Sequence, residues 1–255
     1  MNSSLFYSLL QKKFPFQPTY KQDIFFQKIA IFLTEADNKT IFVLKGYAGT
    51  GKTTVISTIV NSLLDINKKY VLLAPTGRAA KVIANYSNKP AFTIHKKIYF
   101  PKKSSGGGVS FTLQQNKHTN TIFIVDEASM LDITLAHNLL KAVSVGCRLI
   151  LVGDVDQLPS VGPGTVLNDI IRSKMMPVVR LNSIFRQAAL SPIVLNAHRI
   201  NKGLQPECDK CNDFCFTEIN DEKEAAEYIV DNYARITASE GWEGVQVLSP
   251  MHKNP

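Results

Sequence analysis

The residues best equipped for chemistry lie in one glycine-rich run. Residues 46–53 read GYAGTGKT, which fits G-x-x-x-x-G-K-[ST] without a mismatch. Glycines let a backbone curl until successive N–H groups point inward, and such a concavity holds phosphate oxygens. Gly46, Tyr47, Ala48, Gly49, Thr50 and Gly51 would form the cradle. Lys52 would reach the β- and γ-phosphates, and the Thr53 hydroxyl would bind Mg²⁺. Thr54 continues into a helix whose N-terminus adds roughly half a positive charge. The expected ligand is Mg-ATP.

A second cluster lies downstream. Residues 122–127 read IFIVDE, an apolar run ending in two carboxylates. A phosphate-loop enzyme needs an acid here to hold Mg²⁺, and Asp126 suits that role. Glu127 is placed to polarise an attacking water as general base. The adjacent pair argues for hydrolysis over transfer to a bound acceptor. A strand end capped by solvated acids is common, so the pair gains its weight from the phosphate loop before it.

These groups need elements to position them. Residues 40–45 read as a buried strand and 54–64 as a helix, which frames the glycine run correctly. Ile24, Phe25, Ile29, Phe32 and Leu33 fall at helical spacing across 19–33. Residues 71–74, 121–125 and 148–152 are further buried strands, with helices from Arg78 and over about 131–143. The alternation argues a parallel α/β sheet. Residues 98–100 and 109–113 look like two short strands around a Ser/Gly-rich connection, which suggests a hairpin. Pro15 and Pro18 break any regular pattern in 1–18. In the tail, 193–200 and 222–235 read as helices, and 214–219 and 245–248 as strands.

Composition bounds the rest. The chain has 255 residues, 45% of them apolar, enough for a full core. No apolar run approaches the ~18 residues of a membrane span, and the apolar patch at 5–10 lacks the basic flank of a signal peptide. Four cysteines do not make a secreted disulfide scaffold, so a reducing, cytoplasmic setting is expected. Cys208, Cys211 and Cys215 fall one ligand short of a structural zinc set. The formal charge of +8 favours a polyanionic partner.

With these motifs in order, the sequence resembles superfamily 1 DNA helicases of the RecD-like group over residues 19–252. Residues 46–54 (GYAGTGKTT) resemble helicase motif I, 74–81 (APTGRAAK) motif Ia, and 93–96 (TIHK) motif Ib. Residues 125–130 (VDEASM) resemble motif II, 152–164 (VGDVDQLPSVGPG) motif III, and 184–187 (IFRQ) motif IV. Residues 247–253 (VLSPMHK) are similar to the entry of a second motor domain.

The resemblance implies an ordinary strand around 213–218, with Cys215 in its core, and it implies roles. Gln22 is placed like an adenine-reading glutamine. Gln157 and Arg186 resemble groups that sense the γ-phosphate, where charge accumulates during transfer, and Asp154 lies in the same turn as Gln157. Thr76, Gly77, Arg78, Thr93 and His95 would face the DNA backbone, with Lys81 and Lys96 adding sequence-independent charge.

The resemblance also implies an α/β, RecA-like P-loop NTPase with a mostly parallel sheet and helices on both faces. Motor domain 1A would take residues 1–96 and 121–240. A 1B-like hairpin over 97–120, the family's duplex-splitting pin, would be inserted between them, with Lys102 and Lys103 near its tip. Residues 241–255 would begin a second RecA-like domain that this chain lacks. The implied activity is that of an ATP-dependent helicase half, moving 5′-to-3′ on single-stranded DNA and acting at duplex junctions. The alternative is a nucleotide-dependent single-stranded-DNA-binding module with little turnover.

Overall fold

In the computed structural model, the described residues are 2–35, 40–103, 109–113, 119–143, 146–183, 191–207 and 213–249. Six strands form one sheet: β1 (Ile41–Gly46), β2 (Lys69–Ala74), β3 (Ala91–Thr93), β6 (Thr121–Val125), β7 (Arg148–Gly153) and β8 (Val178–Leu181). Their order is β3-β2-β6-β7-β1-β8, and every pairing is parallel. The central register sets Ile124 beside Ile150 and Leu44 beside Val152. The strands are continuously apolar because both faces are covered.

Alternation along each strand divides the core in two. Phe42, Leu44, Leu72, Ile124 and Ile150 face one side, where α1 (Ser3–Lys13), α2 (Tyr20–Thr34) and α3 (Lys52–Asp65) supply Phe6, Leu10, Phe25, Ile29, Ile56 and Leu63. Val43, Leu73, Phe123, Leu149 and Leu151 face the other. There α5 (Ile94–Ile98), α6 (Ile133–Ala142) and α7 (Val166–Ser173) contribute Ile94, Leu135, Leu139 and Leu167. The helix α4 (Gly77–Ser87) follows β2 and buries Ile83 in the first cluster. This is a RecA-like P-loop NTPase fold, as expected.

One helix was not expected. Residues 3–13 form α1, capped by Asn2, whose side chain accepts from Leu5 N–H at 3.0 Å. Pro15 and Pro18 lie beyond its end, where proline stops a helix and does not disturb it. Its apolar pair Phe6 and Leu10, four residues apart, is fully buried. The Lys13–Asp65 ion pair at 2.6 Å is partly exposed and contributes little beside that burial.

Between α5 and β6 the chain forms an antiparallel pair, β4 (Tyr99–Lys103) and β5 (Val109–Leu113), with Tyr99 opposite Leu113 and Pro101 opposite Phe111. The Ser/Gly-rich connection between them lies outside the described residues.

The chain divides into two compact units, Met1–Leu204 and Gln205–Pro255, where the sequence reading drew its boundary at 240/241. The first unit ends with α8 (Pro192–Asn201), which has proline in its first turn. The second holds α9 (Glu222–Glu240), capped by Asp221 through Glu224 N–H at 2.9 Å. The strands expected at 214–219 and 245–248 do not form among the described residues. An apolar run is not enough, because a strand needs a neighbour to take its N–H and C=O groups. Cys215, expected in a core, is exposed, with Sγ 4.0 Å from Thr217 Oγ1. Cys208 and Cys211 lie outside the described residues.

Candidate active site

In a parallel sheet all strands end on the same side, so the loops after their carboxyl ends form one rim. The glycine-rich loop follows β1, Thr76 follows β2, Asp126 and Glu127 follow β6, and Asp154 follows β7. Residues far apart in sequence are thereby collected around Lys52.

The loop owes its shape to two local requirements. Gly51, the N-cap of α3, has φ +82°, a conformation that other residues adopt only with strain. Gly46 is packed so closely that a Cβ there would sit 2.6 Å from Thr50 Oγ1. The buried Thr50 hydroxyl donates to the Tyr47 carbonyl at 2.8 Å and closes the turn. Ala48 and Gly49 are exposed at its crest, and Thr53 and Thr54 begin α3 half-buried.

Lys52 Nζ donates to the Gly46 and Tyr47 carbonyl oxygens at 2.6 and 2.9 Å. Burial pushes its pKa down, and Asp154, Glu127 and Asp126, in that order, pull it back up. Three carboxylates thus bear on one ammonium. Asp154 is the strongest of them and is 5% exposed, a prominence that the sequence reading gave only to the motif II pair.

The Asp126 carboxyl is pushed up to about 6, first by burial and then by the charge of Glu127. The Glu127 N–H, 3.0 Å from Asp126 Oδ1, and the Lys52 charge oppose the shift. Glu127 itself has φ +53°, in the left-handed region. The donor set suits a small hard cation that keeps water and phosphate oxygens as ligands: one half-buried carboxylate and one hydroxyl at a helix start. Among the described residues, no three His, Cys, Asp or Glu side chains group so as to hold a metal by themselves.

Gln22 is buried and both ends of its amide are used. Oε1 accepts from Thr19 N–H at 2.9 Å, completing a capping box on α2, and Nε2 donates to the Thr50 carbonyl at 3.2 Å. Gln157 is exposed in the turn after β7, beside a small cavity that it lines with Ser129, Thr165 and Asn168. The motif III loop is tied to α6 by Ile133 N–H, which donates to the Pro163 carbonyl at 3.0 Å. Arg186 and Gln187 lie outside the described residues.

Sequence reasoning missed two neighbours of the loop. Arg180, on β8, donates to the Tyr47 hydroxyl and lies 5.1 Å from the centre of its ring. His198, on α8, meets the same ring edge-on at 5.1 Å between centroids. No local pattern marks either residue, since only the sheet order and the return of α8 bring them to Tyr47.

Of the candidate DNA residues, Thr76 caps α4 through Ala79 N–H at 3.2 Å, and Thr93 caps α5 through Lys96 N–H at 3.2 Å. Gly77 and Arg78 are exposed, with open space above Gly77. His95 is exposed and stacks on Tyr99, ring centres 5.8 Å apart. A signal overlooked in the sequence joins these positions. Residues 66–125 contain ten lysines and arginines and no aspartate or glutamate.

The sequence pattern of the AAA domain family matches residues 26–215. The chain belongs to the AAA domain family. Within that family this AAA domain is RecD-like. It is 33% identical over 232 residues to an ATP-dependent RecD2 DNA helicase of Deinococcus radiodurans, covering 89% of this chain and 30% of that protein. It is 34% identical over 165 residues to a RecBCD enzyme subunit RecD of Buchnera aphidicola, covering 56% of this chain and 27% of that subunit. The chain thus spans under a third of the length of these curated relatives. The fold is similar to that of the Pif1 helicase from Candida albicans, with a TM-score of 0.53 at 22% identity, over 88% of this chain and 55% of that one. No helix among the described residues is long and apolar enough to cross a membrane.

Proposed function

We propose that this AAA domain is the first motor half of an ATP-dependent DNA helicase that moves 5′-to-3′ on single-stranded DNA. The observation that carries the reading is the convergence of Asp154, Glu127 and Asp126 on Lys52 at the carboxyl edge of a parallel sheet. ATP lies with its phosphates in the loop from Gly46 to Thr54, and Gln22 meets the adenine. Lys52 exchanges its two carbonyl partners for β- and γ-phosphate oxygens. Thr53 and Asp126 would hold Mg²⁺, which would supply neutralisation of charge on the phosphates. Glu127 takes a proton from the attacking water, while Gln157 and Arg186 meet the γ-phosphate.

In the same reading Thr76, Gly77, Arg78, Thr93 and His95 hold the backbone of a single strand, and the β4–β5 hairpin is the 1B-like pin at a duplex junction. A second RecA-like domain supplies the remaining γ-phosphate contact, and the setting is cytoplasmic.

The test is steady-state ATP hydrolysis with and without single-stranded DNA, beside Glu127→Gln. Expected is DNA-stimulated turnover, lost in the variant while ATP binding survives. Full turnover in Glu127→Gln, or no ATP binding by either protein, would overturn the active-site reading.

A further inference from the structure

The phosphate loop has little of its own to keep it in shape. Gly46, Ala48, Gly49 and Gly51 carry no side chain that could anchor them, and the Thr50 hydroxyl is used inside the loop, on the Tyr47 carbonyl. Tyr47 has the one large side chain in residues 46–51. It is half-buried, and its contacts are with β8 and α8.

Arg180 meets this side chain twice. A guanidinium N–H donates to the Tyr47 hydroxyl, and the guanidinium carbon lies 5.1 Å from the ring centre. His198 packs against the ring at an interplanar angle of 82°. Sheet order brings these groups together. The strand β8 runs parallel to β1, with Arg180 beside Lys45 and Leu181 beside Gly46. A Cβ on Gly46 would sit 3.1 Å from Leu181 Cβ, so the start of the loop lies close against this strand.

The other end of the loop has its own anchor, the bond from Gln22 to the Thr50 carbonyl at 3.2 Å. The loop is thus held from α2 on one side and from β8 on the other. The second hold matters when nucleotide arrives. The Tyr47 carbonyl accepts from Lys52 at 2.9 Å. A nucleotide that draws Lys52 to its phosphates removes that bond, and the side chain is what still fixes Tyr47. A loop already shaped for phosphate binds it without a fresh cost in ordering. Arg180 also shares a narrow crevice with Asp154 and Asp156. Carboxylates beside the guanidinium weaken its pull on a phosphate, which favours holding over direct contact.

We propose that Arg180 is a positioning residue. Through the Tyr47 hydroxyl, with His198 packed on the ring, it presets the phosphate loop for Mg-ATP and Mg-ADP alike. The inference rests on the reading above that this loop binds Mg-ATP, and adds what keeps it in shape.

The experiment measures equilibrium binding of Mg-ADP and Mg-ATPγS to the full chain by titration calorimetry. Wild type, Arg180→Ala, Tyr47→Phe and the double variant are compared, beside their melting temperatures without nucleotide. Tyr47→Phe removes the acceptor oxygen and leaves the ring and the charge of Arg180 in place. Expected is a loss of about tenfold for both nucleotides in each single variant, no further loss in the double variant, and unchanged melting. Wild-type affinity in Arg180→Ala would overturn the inference and leave nucleotide binding by the loop standing. A loss confined to Mg-ATPγS, or one that spares Tyr47→Phe, would overturn it by making Arg180 a direct phosphate contact. Losses that add in the double variant, or that track a fall in melting temperature, would overturn it in favour of two independent or merely stabilising roles. Binding of neither nucleotide by wild type would overturn this inference together with the active-site reading.

Discussion

The side-chain Nε2 of Gln22 donates to the carbonyl oxygen of Thr50 at 3.2 Å, joining α2 to the phosphate loop. The other end of the same amide closes the capping box at Thr19. Gln22→Ala should therefore lower stability by about 1–2 kcal/mol in urea unfolding. Gln22→Glu can still accept from Thr19 but cannot donate to Thr50. It should narrow the preference for ATP over GTP in equilibrium binding. An unchanged preference would remove Gln22 from adenine recognition.

Asp126 makes folding pH-dependent. Its carboxyl stands at about 6 in the fold against an ordinary 3.8. Between those values the folded chain keeps a proton that the unfolded chain has released. The stability tied to this group is complete below 3.8 and is lost as pH rises through about 6. In the metal-free chain, Asp126→Asn and wild type should melt alike near pH 4, and the variant should melt higher above about pH 6. A melting difference that is constant from pH 4 to pH 8 would show that Asp126 titrates as an ordinary carboxyl.

Glu127 sits at φ +53° between Asp126 and the short turn Ala128–Met130. Only residues that tolerate left-handed backbone fit here easily. Glu127→Asn should stay within about 0.5 kcal/mol of wild type. Glu127→Val should lose about 1–3 kcal/mol, because a β-branched side chain clashes in this conformation. Both variants should lose turnover. Equal stability of the two would show that the backbone relaxes at this point.

Leu10 tests the helix that the sequence concealed. It is fully buried in the cluster with Phe6 and Phe25. Leu10→Ala should cost about 2–5 kcal/mol, measured by chemical unfolding. A loss below about 0.5 kcal/mol, the range of surface changes, would mean that α1 adds nothing to the domain.

The phosphate loop, the Asp126–Glu127 pair and the parallel core were legible because each is written in contiguous residues. A glycine run fixes a loop, a continuous apolar run fixes a buried strand, and a helix after the loop fixes the direction of its N-terminus. The first helix was misread because Pro15 and Pro18 were taken to disrupt a stretch that they in fact follow. The strand at 214–219 was misread because a run of residues cannot say whether a partner strand is present.

The sequence by itself determined the glycine-rich loop, the family and the alternation of strands and helices, since these depend on neighbours along the chain. Only the tertiary structure decided that Asp154 bears on Lys52 more strongly than either carboxylate of the motif II pair, that Arg180 and His198 both meet Tyr47, and that Tyr99 and Phe111 share a cleft with His95. Those relations depend on strand order and hairpin register. These are set by which apolar faces pack together and leave no mark in any short run of residues.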